Sequence, residues 1–337
     1  MSTCNFIDNN AIFGGGVYWN GTNGKLIDAT FTGNIGAVNG GAVLWDGSNG
    51  SLTDSTFIEN QADSGTICWN GANGKLSCSI FINNTARNSG AVNWGGINGT
   101  LMDSNFTGNS ANNNGAIFWW GDNGSLSGSI FINNTASTSA GIYWIGANGI
   151  LTGCTFVNNN ATNNGGAVFW YGHYGILSDS IFTGNNAVIG GGVFWRGSYG
   201  TLTSSKFTNN VARDFGGGVY WDGGNGTLEH SSFTYNIAAN GGAVFWYLTG
   251  SMVNCNFTTT KWIKVNGIYV RDHLTINGGN GIIDVVTGQN GIIFGSSIVV
   301  LNNETYYYPP NTNINLPNNK YQFTENKMKK FFKVKIF

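Results

Sequence analysis

The chain has 337 residues, of which only 9% are charged, 15 Lys and Arg against 16 Asp and Glu, for a net charge of −1. Ordinary domains carry about 25% charged residues, so this chain lacks the basic surface by which nucleic acid or an anionic membrane would be held. A hydrophobic share of 41%, 14% of the chain being aromatic, excludes a chain that never buries a core, and no apolar run reaches the roughly 18–20 residues of a membrane span.

From its first residues the sequence repeats. Phe6 is followed three positions later by Asn9, and the pair recurs at Phe31, Phe57, Phe81, Phe106, Phe131, Phe156, Phe182, Phe207 and Phe233, with Phe257 closing the series; the steps are 24 to 26 residues. Ten of the 12 Trp keep the same period: Trp19, Trp45, Trp69, Trp94, Trp119, Trp144, Trp170, Trp195, Trp221 and Trp246. Leu stands five residues before each Phe from Leu26 to Leu228, then Met252, and Val or Ile stands two before each Trp. A small residue, Ser, Ala or Cys, lies two before each Phe, and Ala lies five after it except at Gly36. A period of this length marks a stacked array whose single unit cannot bury its own apolar face.

Each unit reads as short strands. Val-x-Trp alternates with period two, and the flanking segments are β-branched, aromatic and Gly-rich without helical spacing. Strands that stack on their own copies are parallel, and crossovers between parallel strands are right-handed in nearly all cases. The expected fold is all-β, a right-handed parallel β-helix of about ten coils and on the order of 48 Å long.

The Trp, Leu and Phe columns are expected to point inward with Val, packed against the small residues. The residue between Val and Trp and the residue after Trp vary freely, which predicts a solvent-facing side. Leu and Phe differ by an odd number, so the chain must bend between them, at Asp28, Asp54, Asp103 and Asp179 among others. The Asn column from Asn9 to Asn236 reads as a ladder of amides bonded from coil to coil, and Asn-Gly, as at 23–24 and 49–50, marks a second tight turn.

Length varies only between the Ala column and the following Gly pair, an edge suited to adaptable loops. On the outer strand face the residue after Trp changes to Trp120, Ile145, Tyr171 and Arg196 in coils five to eight, while Tyr174 and Tyr199 replace the Asn of Asn-Gly and His173 joins them. Asp222, one coil after Arg196, is placed for an ion pair. Exposed aromatics among polar groups suit stacking on sugar rings or on a partner's edge, or simply on one another. Trp120, Tyr171, His173, Tyr174, Arg196, Tyr199 and Asp222 are therefore the candidate binding residues.

No Cys or His spacing suggests a metal, the Gly-rich turns lack a phosphate-loop Lys, and no cofactor is expected. The five Cys read as buried free thiols rather than a disulfide framework. Sequons such as Asn20, Asn49, Asn83, Asn98 and Asn123 would accept N-linked glycans, although several coincide with the turn motif. Residues 1–260 form the repeat region, 261–308 a strand-rich last coil or cap, and 309–337 an Asn-rich linker with a Lys-rich, disordered tail. Met1 begins inside a coil without a basic-then-apolar leader, so the chain is expected to be a piece of a longer surface protein, or its start misplaced.

The pairing of Gly-Gly-Ala-Val, as at 165–168, with Phe-x-x-Asn, as at 182–185, resembles the repeats of chlamydial polymorphic outer-membrane proteins; the Asn-rich composition is still more similar to adhesin-like β-helix proteins of methanogenic archaea. The resemblance covers residues 1–260 and implies a non-enzymatic, cell-surface or extracellular rod that attaches to a host or microbial glycan or protein. A polysaccharide lyase or glycoside hydrolase on the same scaffold is the rival, but such chemistry needs clustered carboxylates with a basic partner or calcium, and neighbouring acids occur only as Asp28 and Asp54. A structural surface-layer component is the third alternative.

Overall fold

A computed structural model describes residues 1–258 and, beyond them, the strands Ile268–Val270, His273–Asn277, Asn280–Gly281, Ser297–Leu301 and Glu304–Tyr308. The described residues contain strands and turns and no helix. Each of the first nine coils lays down a Phe strand (Asn5–Ile7 in the first coil), an edge strand (Asn10–Phe13), a Trp strand (Val17–Trp19) and a Leu strand (Lys25–Ile27), and the tenth lacks only the edge strand. Like strands pair in parallel with like, Phe6 with Phe31, Val17 with Val43, Leu26 with Leu52, so the columns read from sequence are the register itself. The result is a parallel β-helix of four sheets with 12, 9, 11 and 13 strands in the order Phe, edge, Trp and Leu. The Phe strands are kept extended by β-branched residues, which line the outward position after Phe from Ile7 to Thr234 in every coil.

The core is a stack of rings. Successive indoles from Trp19 to Trp246 lie 4.6–4.9 Å apart and within 7° of parallel, and successive Phe rings from Phe6 to Phe233 lie 4.6–4.9 Å apart. Trp45 through Trp246 are fully buried, while Trp19, in the first coil, is only partly so. The Gly of each Asn-Gly turn lies against the indole of its own coil: a Cβ on Gly50 would stand 2.2 Å from Trp45 Nε1, so no side chain fits there.

The bend between Leu and Phe is a left-handed residue, with φ of 52° at Asp28, Asp54 and Asp179 and 50° at Asp103. The small residue that follows has a second task beyond packing. Ser55 Oγ accepts the Ala29 N–H at 3.1 Å and donates to the Thr53 carbonyl at 2.9 Å, closing the corner's backbone.

The Asn ladder is buried from Asn34 to Asn236 and its amides are hydrogen-bonded from coil to coil. Each Nδ2 donates to the Oδ1 of the Asn one coil on, through nine links of 2.8–3.1 Å from Asn9 to Asn236. From Asn34 onward its second proton goes to the Phe carbonyl of the preceding coil, as from Asn109 to Phe81 at 3.0 Å. Each such amide therefore ties three coils together.

Apart from the step from Trp246 to Met252, one residue shorter than its counterparts, length variation is confined to the edge, where all four register shifts occur, as between Ala136 and Thr138. Beyond the tenth coil, Val244 pairs with Ile268, Met252 with Ile276 and Phe257 with Gly281, all in parallel; Ser297–Leu301 then adds to the Leu sheet and pairs antiparallel with Glu304–Tyr308. The linker and Lys-rich tail at 309–337 lie outside the described residues.

Two expectations are corrected. The residue between Val and Trp is solvent-facing at Tyr18 and half-buried at Phe118, Tyr143 and Tyr220, but Leu44, Cys68, Asn93, Phe169, Phe194 and Phe245 are buried, because the variable edge folds over them, as when Ser64 Oγ accepts from Asn93 Nδ2 at 2.6 Å and Phe215 packs on Phe245. Nor are all thiols buried: Cys68, Cys154 and Cys255 are, but Cys4 is half-buried and Cys78 is exposed at a left-handed corner with φ 49°.

Candidate functional site

The strand face beneath the candidate residues carries a third aromatic stack. Phe118, Tyr143, Phe169 and Phe194 follow one another at 5.5, 4.9 and 4.5 Å, and Tyr220 and Phe245 continue it at 4.6 and 5.1 Å. Burial raises the pKa of the Tyr143 phenol, the nearby Tyr171 adds to the rise, and Arg196 opposes it. This stack stiffens the sheet and supplies an apolar footing for the residues that project beyond it.

The column after Trp projects further. Trp120 is 48% exposed, yet its ring is held: Nε1 donates to Asn93 Oδ1 at 2.9 Å, and the benzo ring lies over Gly95, where a Cβ would stand 2.1 Å from Cζ2. Tyr171, two coils on, meets the edge of Phe169 at 6.4 Å and carries the Arg196 guanidinium 5.3 Å from its ring centroid. Arg196 Nε stands 3.7 Å from Asp222 Oδ2, so the expected ion pair is present and the cation shares its charge between ring and carboxylate.

Tyr174 and Tyr199 stand in the turn column with φ of 56° and 57°. Their rings stack at 5.2 Å and 11° and are 58% and 53% exposed. They interrupt an outer amide ladder that runs through Asn49, Asn73, Asn98, Asn123 and Asn148 with bonds of 3.0–3.2 Å. Glycine and asparagine usually fill such left-handed positions, and a bulky ring there is unusual. His173 takes a structural part, its Nδ1 accepting the Ser198 N–H of the next coil at 3.1 Å; Asp122 does the same for Ala147 at 2.8 Å.

The structure thus gathers the seven candidates into three groups along one side of the rod: Trp120 on its glycine, Tyr171 with Arg196 and Asp222, and the Tyr174–Tyr199 pair beside His173. Sequence reasoning missed Gly95 and Asn93, which seat Trp120; the one available signal was that Gly95 interrupts a column of Asn and Asp immediately before an unusual Trp-Trp pair. Elsewhere, Asp28 and Asp54 accept hydroxyls of Thr3 and Thr53 at 3.3 and 3.1 Å. Among the described residues no three or more His, Cys, Asp or Glu side chains come together to hold a metal ion. Comparisons with protein-family models, with curated proteins and with solved structures return no match to this chain.

Proposed function

We propose that this chain is a non-enzymatic, adhesin-like rod of a cell surface, akin to the adhesin-like and polymorphic outer-membrane repeat proteins that its motifs resemble, and that it attaches to glycan or protein on a host or microbial cell. The observation that carries the reading is the clustering of Tyr171, Tyr174 and Tyr199, each more than 40% exposed, on one side of the rod. Exposed rings beside charged and amide groups combine flat apolar faces with hydrogen-bonding partners, the combination that recognition surfaces use.

The test is binding of the purified chain to glycan arrays and to whole cells, compared with a variant carrying Tyr171→Ala, Tyr174→Asn and Tyr199→Asn. Asn is chosen at the two turn positions because it occupies them in most other coils and tolerates positive φ. Binding that falls in the variant while melting is unchanged supports the reading; equal binding removes the aromatic cluster from it. Release of reducing ends or unsaturated products from polysaccharides overturns the non-enzymatic assignment.

A further inference from the structure

The position after each core Trp forms a straight column, because the Trp strands pair without a register shift from Val17–Trp19 to Val244–Trp246. Neighbouring members stand one coil apart, the 4.6–4.9 Å that separates stacked indoles. Within this column Trp120 has a built seat. Three atoms of its ring lie within 2.7 Å of where a Gly95 Cβ would be, so one face rests on bare backbone. Its N–H is fixed by Asn93, 9% exposed and itself bonded to Ser64. A ring with one face on backbone and its edge bonded turns its remaining face to solvent without further loss of side-chain freedom, which lowers the entropy cost of binding.

Tyr171 follows two coils later, with the aliphatic Ile145 between. The Trp120 indole is seated over Gly95, one coil before its own strand, so it stands between two and three coil rises from Tyr171, roughly 10–14 Å. A β-1,4-linked hexose chain is an extended ribbon whose sugars advance by a length close to one coil rise each. A single chain laid along the column therefore reaches both rings with sugars two or three places apart. A curved α-linked glucan cannot stay in line with a straight column. Charge narrows the choice further: Arg196 is already engaged by Tyr171 and Asp222, so the column offers no uncompensated cation to a polyuronate.

Resting on the adhesive reading above, we infer that the Trp120–Ile145–Tyr171–Arg196 column binds an uncharged, extended β-1,4-linked glycan lying parallel to the rod axis, with Trp120 as its principal stacking platform. The experiment measures binding of β-1,4-linked glucose, N-acetylglucosamine and mannose oligomers of increasing length, with α-1,4-glucan and polygalacturonate as comparisons. Affinity is expected to rise with length for at least one β-1,4 series. Trp120→Ala and Gly95→Asn are each expected to weaken it about tenfold or more, with the chain still fully folded at the assay temperature. Gly95→Asn copies the residue found at the same position one coil earlier, Asn70, and removes only the seat.

Preference for α-1,4-glucan or polygalacturonate, or full binding by both variants, overturns the inference. If the native chain then still binds cells or other glycans through Tyr171, Tyr174 and Tyr199, the adhesive reading survives without it; if the native chain binds neither cells nor glycans, both fall.

Discussion

The chain contains two Asn ladders that differ in one physical respect. The inner ladder runs from Asn9 to Asn236 at the turn behind the Phe sheet, is buried from Asn34 onward and holds Asn in every one of ten coils. The outer ladder, at the Asn-Gly turns, makes bonds of the same length but faces solvent, and it accepts Tyr174 and Tyr199. Water replaces a lost partner outside and cannot do so inside, so burial turns a favourable bond into an obligatory one. Substitution is free where solvent stands by, and there the chain carries the side chains that projection onto a partner requires.

The sharpest way to break this comparison is to cut both ladders. Asn109→Ala orphans the N–H and amide protons of Asn84 and the Phe81 carbonyl, and is expected to cost about 3–5 kcal/mol of unfolding free energy. Asn98→Ala in the outer ladder is expected to cost about 1 kcal/mol, most of it from placing Ala at positive φ. Urea titration of both variants decides the matter, and equal losses would refute the distinction.

The thiols give a second contrast of the same kind. Burial pushes Cys68, Cys154 and Cys255 from 9.0 up to about 12. In the unfolded chain these groups ionise as pH passes 9.0, whereas in the fold they remain protonated until about 12. Their contribution to stability is intact below the lower value and is lost as pH climbs toward the upper one. Melting temperature is therefore expected to fall through that window, and to fall less when the three are replaced by Ser, Ser and Ser. At pH 8 an aromatic disulfide reagent should label Cys78 rapidly and leave the three buried thiols unmodified until the chain unfolds.

Smaller effects are expected outside. Replacing Tyr174 and Tyr199 together by Asn extends the outer ladder and should change stability by less than about 1 kcal/mol, the lost ring stacking being offset by relief of the left-handed strain. Arg87→Ala removes an ion pair in which the arginine is exposed and Asp63 half-buried, and the smallest loss of the series is expected, vanishing in high salt.

The fold was legible because every buried column recurs at one period, and the inner ladder could be read directly from the spacing of Asn9, Asn34 and Asn60, whereas the Asn-Gly positions were read only as turns and the amide bonds between Asn49 and Asn73 were not. The side chains between Val and Trp were misread because variation was equated with exposure. Leu44, Asn93 and Phe169 differ because each is covered by an edge segment of its own length and composition, so each coil solves its packing locally. The seat of Trp120 was hidden for a related reason. It depends on a glycine one coil earlier and on an amide held by Ser64, two coils earlier, and only the register between coils brings the three together. The Ser column was placed correctly, but its hydroxyl bonds to the corner backbone cannot be inferred from size.

The inner ladder has one more property. Each of its nine links runs the same way, an amide proton handed toward the following turn. A gene that duplicates or deletes one whole repeat inserts or removes a donor together with an acceptor, and the chain of bonds closes again without any compensating change. Unequal recombination within such a gene can thus lengthen or shorten the molecule in whole turns, while a break within a repeat is punished at once. Reach becomes a quantity that selection can adjust in steps of a single turn.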